Sequence, residues 1–236
     1  MKVITYSNLN KIIIRYDNQE KLYVKTTYDE KGIQNLQNEF NGLKWYFSKK
    51  PEIRDSFLRI LKIKSNQNFA KIEIPFIEGY KISVERDISK NKFFLYKAIN
   101  EYVNISKQNN FRFHGDFSMG NLIFNKSNTY IIDWEHSNDE IKIWGVDILN
   151  IFFESLFFSF KKKDYLSKKN LKSAIEIYQH ISNVFSDSDK KIMTLKNLII
   201  FYRKNSHIWG LSLSKLPVLK FNENQLKIIK SIENGR

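Results

Sequence analysis

"FHGDFSMGNLIFNKSNTYIIDWEHS", residues 113–137, sets three polar side chains, Asp116, Asn121 and Asp133, into a stretch otherwise built to pack. "NLIF" and "TYIID" are β-prone runs separated by "NKSN", a cluster of turn formers. An antiparallel hairpin centred near Ser127 would set Phe124 opposite Tyr130, Ile123 opposite Ile131, Leu122 opposite Ile132, and Asn121 opposite Asp133. Directly opposed residues have Cβ atoms about 4.5–5.5 Å apart. The hairpin therefore makes sequence-distant Asn121 and Asp133 neighbours, and Asp116 lies in a loop that can curl back over the same point. Two hard oxygen donors with a third carboxylate nearby suit Mg²⁺, which takes oxygen ligands and keeps several waters. Asp and Asn at the ends of a surface hairpin are common on their own. The coincidence of His114, Gly115, Asp116, Asn121 and "IIDWE" is not.

Upstream of this stretch the chain reads as strands and one helix. "KVITY", "KIIIRY" and "KLYVKTT" are β-rich runs separated by the turns "SNLN" and "DNQE". Ile33, Leu36, Phe40, Leu43 and Phe47 recur at helical spacing and predict a helix over about residues 32–49. "FLRILKI" and "FAKIEIPFIEG" read as two further strands, the second ended by Pro75 and Gly79. From about residue 86 onward the pattern is helical, interrupted only by the hairpin. "WGVDILNIFFESLFF" predicts a buried helix with Leu149, Phe152, Phe153, Leu156 and Phe160 on a broad apolar face. Strands first and helices later give an α+β chain with two segregated parts, 1–78 and 79–236.

Composition bounds the function. The chain has 236 residues, enough to bury a substantial core. With no cysteine it has no disulfide framework and no thiolate metal site. "MKVITYSNLN" lacks an apolar export core, so a cytoplasmic location is expected. The greasiest run, "VDILNIFFESLFFSF", is interrupted by Asn150 and Glu154 and is too short to span a bilayer. The net charge of +14 raises a polyanion-binding reading. However, lysine far outnumbers arginine, the residue that reads nucleic acid by bidentate and stacking contacts. The basic run "KKKDYLSKKN" (161–170) reads as the solvated end of a helix, with contact to an anionic membrane surface left open. Nucleic acid is not the expected partner.

"HGDFSMGN" followed by "IIDWE" resembles the signature of the aminoglycoside phosphotransferase and choline kinase family, the small-molecule branch of the protein-kinase-like fold. The match is specific in this stretch and looser elsewhere. The resemblance implies a bilobal fold, with a small β-rich nucleotide-binding lobe before a larger helical lobe. It also implies ATP as co-substrate, Mg²⁺, and a small-molecule hydroxyl as acceptor. By this resemblance Asp116 would orient the acceptor hydroxyl, Asn121 and Asp133 would hold the metal, and His114 would brace the loop. Lys25 would hold the α and β phosphates, and Glu39 would hold Lys25, although Glu30 could serve instead. Tyr23, on the same strand face as Lys25, would lie against the adenine. "YSNLN" has no glycine, so Ser7 and main-chain amides would cover the phosphates. "IPFIEGY" resembles the hinge, where Phe76, Ile77 and Glu78 would read the base edge. Asp147 would either cap its helix or hold the catalytic loop.

The acceptor is less defined. The later half of the chain is lysine-rich, with no acidic cluster evident beyond "SDSD" (186–189), which favours a sugar or another neutral or anionic hydroxyl compound, as in cell-surface carbohydrate or lipid-head-group synthesis. Choline, another amino alcohol or an aminoglycoside is the alternative. Tyr202 and Trp209 are candidates to line its pocket, although aromatic residues at helical spacing are more often core. A kinase-like protein that binds a nucleotide or a polyanion without transferring phosphate is the rival from another class.

Overall fold

A computed structural model describes residues 2–7, 11–106, 111–126, 128–141, 143–160, 164–185, 193–205 and 216–235. Ser127, the centre of the expected hairpin, lies outside them, as do 161–163 of the basic run, 186–189, His207 and Trp209. The chain is α+β. Strands β1 (Lys2–Ser7), β2 (Ile12–Asp17) and β3 (Leu22–Thr27) come first. Helices α1 (Glu30–Phe47) and α2 (Arg54–Ile60) follow, then strands β4 (Lys62–Asn66) and β5 (Phe69–Pro75). These five strands form an antiparallel sheet in the order β1-β2-β3-β5-β4. The turn after β2 forms because Asp17 Oδ1 accepts from the main-chain N–H groups of Gln19 and Glu20, while Lys21 takes a left-handed φ of 49°.

The register fixes which residues share a face. Lys25 is flanked by Ile14 and Ile72, and Tyr23 by Tyr16 and Ile74. Helix α1 packs against β5, β4 and β3. Its start is set by Asp29, whose side chain accepts from the N–H of Gly32, and it buries Ile33, Leu36, Leu43, Tyr46 and Phe47.

One expected strand is not a strand. "FLRILKI" was expected to be extended throughout, but residues up to Ile60 belong to α2, and β4 begins only at Lys62. Phe57 stacks on Phe47 of α1 with centroids 3.6 Å apart, and Leu61 is buried with it. Phe57, Ile60 and Leu61 also carry helical spacing, and in so short an apolar run a tertiary anchor decides between the two periods.

After β5 come α3 (Ile88–Ser106), a 3₁₀ turn (Met119–Asn121), the two-stranded pair β6 (Leu122–Asn125) and β7 (Asn128–Ile131), and α4 (Val146–Phe160). Helices α5 (Lys168–Val184), α6 (Leu195–Lys204) and α7 (Glu223–Glu233) follow among the described residues. Helix α4 is the centre of this half. All five apolar residues expected on its inner face are buried, and it packs on α3, α5 and α6. No helix among the described residues is long and apolar enough to cross a membrane.

The chain divides into two compact units. The first comprises residues 1–79, 112–115 and 131–141, and the second 80–111, 116–130 and 142–236. The first unit is therefore discontinuous, drawing two short pieces from the stretch quoted at the outset.

Candidate functional site

Within the first unit, three charged residues meet. Lys25 Nζ donates to Glu39 Oε1 and to Asp133 Oδ1, each at 2.7 Å. Lys25 and Glu39 are buried, and about a third of the Asp133 side chain is exposed (35 %). Burial by itself would discharge Lys25, but the carboxylates of Asp133 and Glu39 outweigh it and hold its pKa above the ordinary lysine value. Burial pushes Glu39 up to about 7 against the pull of Lys25. Asp133 is also pushed up by burial, yet the adjacent Lys25 ammonium prevails and keeps it below the usual carboxylate value. Lys25 is thus a fixed cation, and Glu39 holds it from α1, as Glu30 does not. Glu39 Oε2 is buried without a hydrogen-bond partner.

Asp133 sits beyond the end of β7 with a left-handed φ of 64°, a conformation that Asp tolerates better than most residues. Asn121 closes the 3₁₀ turn that precedes β6. Neither is a strand residue. The ladder expected to pair them stops short of both because local turn geometry takes over at its open end.

The segments around Asp133 explain "HGD" and "DW". His114 is fully buried, and its Nε2–H donates to the Ile132 carbonyl at 3.0 Å. Its ring lies 4.5 Å from that of Trp134. Burial drives the His114 pKa down to about 4, so the ring is neutral. Gly115 has φ +90°, and a Cβ there would stand 2.5 Å from the His136 carbonyl oxygen, so only glycine fits. Trp134 is fully buried, and its indole N–H donates to the Ile131 carbonyl. Gly42 of α1 lets that helix approach, since a Cβ there would come within 2.5 Å of Trp134 Cβ. The Ile131 N–H donates in turn to the Tyr46 hydroxyl.

Asp116 and Asn121 belong to the second unit. Asn121 Nδ2 donates to both the main-chain carbonyl and the Oδ2 of Asp116, at 2.9 Å each. Two acceptors on one side fix the amide orientation and leave Asn121 Oδ1 facing away from Asp116. The loop is braced from behind. Phe117 packs on Tyr102 of α3 at 4.9 Å, Tyr102 donates to Asp147 Oδ2 at 2.6 Å, and Asn150 Nδ2 donates to the Phe117 carbonyl at 3.3 Å. Asp147 is a buried residue inside the first turn of α4, two positions past where a cap would stand. One helical turn beyond Asn150, Glu154 is pushed up to about 8, by burial first and by the Asp116 charge second. Burial also raises the Tyr202 phenol well above its ordinary value, helped by Asp147, Asp116 and Glu154.

The residues expected at the nucleotide are unevenly placed. Tyr23, Tyr16 and Phe76 form an aromatic cluster in the first unit, with ring centroids 5.2–6.0 Å apart. Phe76 is 40 % exposed, Ile77 is buried and Glu78 exposed. The Phe76 N–H donates to the Lys21 carbonyl at 2.8 Å, so it is not the group that reads a base edge. Ser7 ends β1 opposite Ile12. Sequence reasoning passed over Tyr16, although hairpin pairing of β2 with β3 would have put it beside Tyr23. It also passed over Tyr102, whose role no local pattern signals.

No family model matches the chain, and no curated protein matches it.

Proposed function

We propose that the protein is an ATP- and Mg²⁺-dependent O-phosphotransferase of the protein-kinase-like fold, acting on a small-molecule hydroxyl. The observation that carries this reading is the clamp on Lys25. A strand lysine, a helix glutamate and an aspartate 108 residues further along are held at 2.7 Å, as a phosphate-binding cation and its supports would be. Nothing in a purely structural role calls for burying a lysine and a glutamate together beside a half-buried aspartate, because desolvation offsets most of their attraction.

Each unit offers one oxygen of the kind that magnesium takes. Asp133 Oδ1 is taken by Lys25, and among the described residues its Oδ2 carries no hydrogen bond. Asn121 Oδ1 is likewise directed away from the Asp116 acceptors that its amide engages among the described residues. Both are hard oxygen donors, and a site completed by water and phosphate oxygens needs few protein ligands. Among the described residues no three His, Asp or Glu side chains gather as a metal cage, which such a site does not require. When bound, Mg²⁺ would shield the charge of the nucleotide phosphates.

In this reading Asp116 accepts the proton of the acceptor hydroxyl as its oxygen bonds to the γ-phosphorus and the bond from that phosphorus to the β–γ bridging oxygen breaks, releasing ADP. Lys25 stabilises the charge left on the diphosphate. Asn121 holds Asp116 in place through its paired hydrogen bonds, and His114 keeps the preceding turn rigid as a neutral ring.

The test has two steps. MgATP should raise the melting temperature of the wild type and fail to raise that of Asp133→Ala. A radiolabelled-ATP screen against pooled sugars, amino alcohols and aminoglycosides should then transfer label to one pool. If MgATP neither stabilises the wild type nor is hydrolysed by it, the reading is wrong.

A further inference from the structure

Besides the small hydroxyls of Ser155 and Ser159, helix α4 carries three polar residues, and they fall on one side: Asp147, Asn150 and Glu154. Two of them have clear protein partners: Asp147 accepts from Tyr102, and Asn150 donates to the Phe117 carbonyl. Glu154 does not. Among the described residues neither of its oxygens makes a hydrogen bond, and Oε2 is shut away from solvent. A buried polar oxygen without a partner destabilises the free protein. An apolar residue there would continue the helix's packing face, so the acid is unexplained by the fold.

Its position is informative. Asn150 fixes the main chain next to Asp116, and Glu154 lies one turn further along the same helix. Asp116 is near enough for its charge to act on Glu154, and Tyr202 of α6 feels both carboxylates. The lone acid therefore belongs to the surroundings of the group that would take the acceptor's proton.

Building on the kinase reading, we infer that Glu154 is an acceptor-positioning residue that binds a second hydroxyl of a neutral polyhydroxylated acceptor while Asp116 engages the reacting one. The chemistry of the unligated state favours a hydroxyl over an ammonium. Burial and Asp116 keep the Glu154 carboxyl protonated near neutral pH. A protonated carboxyl offers one donor and one acceptor, which is what an alcohol presents in return. An ammonium, with donors only, calls for the ionised form instead.

The experiment compares wild type, Glu154→Gln and Glu154→Leu, with glycerol, ribose and glucose as neutral probes and ethanolamine and glucosamine as cationic ones. Glutamine retains a donor and an acceptor without charge. The inference expects a neutral probe to be phosphorylated by wild type and by Glu154→Gln with KM values within about threefold. Glu154→Leu should raise that KM at least about tenfold, the effect of one lost hydrogen bond, with a smaller change in kcat. Its melting temperature without ligand should equal or exceed that of wild type, and MgATP should still stabilise it. Four results would overturn the inference: turnover of cationic probes alone with Gln as damaging as Leu; equal KM values in all three proteins; ATP hydrolysis by wild type with no neutral probe phosphorylated; or a Glu154→Leu protein that melts below wild type, which marks the acid as structural. Absence of both ATP hydrolysis and MgATP stabilisation in the wild type instead refutes the kinase reading, and this inference falls with it.

Discussion

Replacing Lys25 with methionine tests the clamp as a physical object, independent of catalysis. The substitution keeps most of the side-chain volume but removes the cation that Glu39 and Asp133 share. Breaking a buried pair in this way costs about 3–5 kcal/mol, because a charge is left behind in a dry site. Asp133 is partly exposed and water relieves its share, so most of the penalty falls on Glu39, which is 1 % exposed. Glu39 has an escape through protonation. Its pKa is already about 7 with Lys25 present and rises further without it. The loss of stability should therefore be about 3 kcal/mol at pH 8 and roughly 1 kcal/mol smaller at pH 6, where the variant's Glu39 is neutral. Glu39→Gln alone should cost no more than about 1 kcal/mol, since the amide oxygen can still accept from Lys25. The double variant should recover a substantial part of the Lys25→Met loss, a coupling that adjacent sites show and distant ones do not. Urea unfolding followed by circular dichroism at both pH values would measure all four proteins. A Lys25→Met protein within about 0.5 kcal/mol of wild type at pH 8, the level of an ordinary surface change, would refute the reasoning. So would a double variant no more stable than Lys25→Met.

Acid should unfold the protein through His114. Its folded pKa, about 4, lies below the ordinary 6.5, so the stability from burying it neutral is complete above about 6.5 and lost as pH falls through 4. Urea midpoints between pH 7 and pH 4 should fall less steeply in His114→Gln than in wild type. Glu39 acts in the opposite sense: its raised pKa gives stability that is complete below 4.5 and lost as pH rises through about 7. Gly115→Ala should destabilise by at least about 2 kcal/mol, combining a left-handed backbone with a Cβ 2.5 Å from the His136 carbonyl, and thermal melting would show it. Asp116→Asn should lose about 10²–10⁴-fold in kcat on whichever acceptor the screen identifies, while retaining stabilisation by MgATP. Turnover within tenfold of wild type would remove Asp116 from its assigned role.

How much of this could be read in advance differs from element to element. The strands up to residue 27 carry strong β patterns, and α1 carries a clear helical stripe, so local rules sufficed there. The stretch 57–61 has apolar residues compatible with either period, and only the stacking of Phe57 on Phe47 resolves it. At the site, Asp133 could be picked out from the hairpin pattern, whereas Lys25 and Glu39 were implied only by the resemblance of "HGDFSMGN" and "IIDWE" to a kinase signature. Their meeting could not be read from propensity, since it depends on β3, α1 and a segment more than a hundred residues away. Glu154 is the instructive miss. In the sequence it only interrupts an apolar run, and it stands out only beside Asp147 and Asn150, which have partners on the same side of the helix. "No acidic cluster" was a statement about neighbours in the chain. In the fold, Asp116 and Glu154 are close enough to influence each other.

The discontinuity of the first unit bears on how the protein is made. Residues 1–79 emerge from the ribosome first, yet their compact partner set includes 131–141, which supply Trp134 to the surface left by Gly42 and Asp133 to Lys25. Until that later segment has been synthesised, the nascent sheet and α1 present an unsealed apolar face and a buried-site lysine with half its counter-charge. Synthesis thus sets a minimum length for native docking, and a chain stalled before residue 131 would be a client for chaperones.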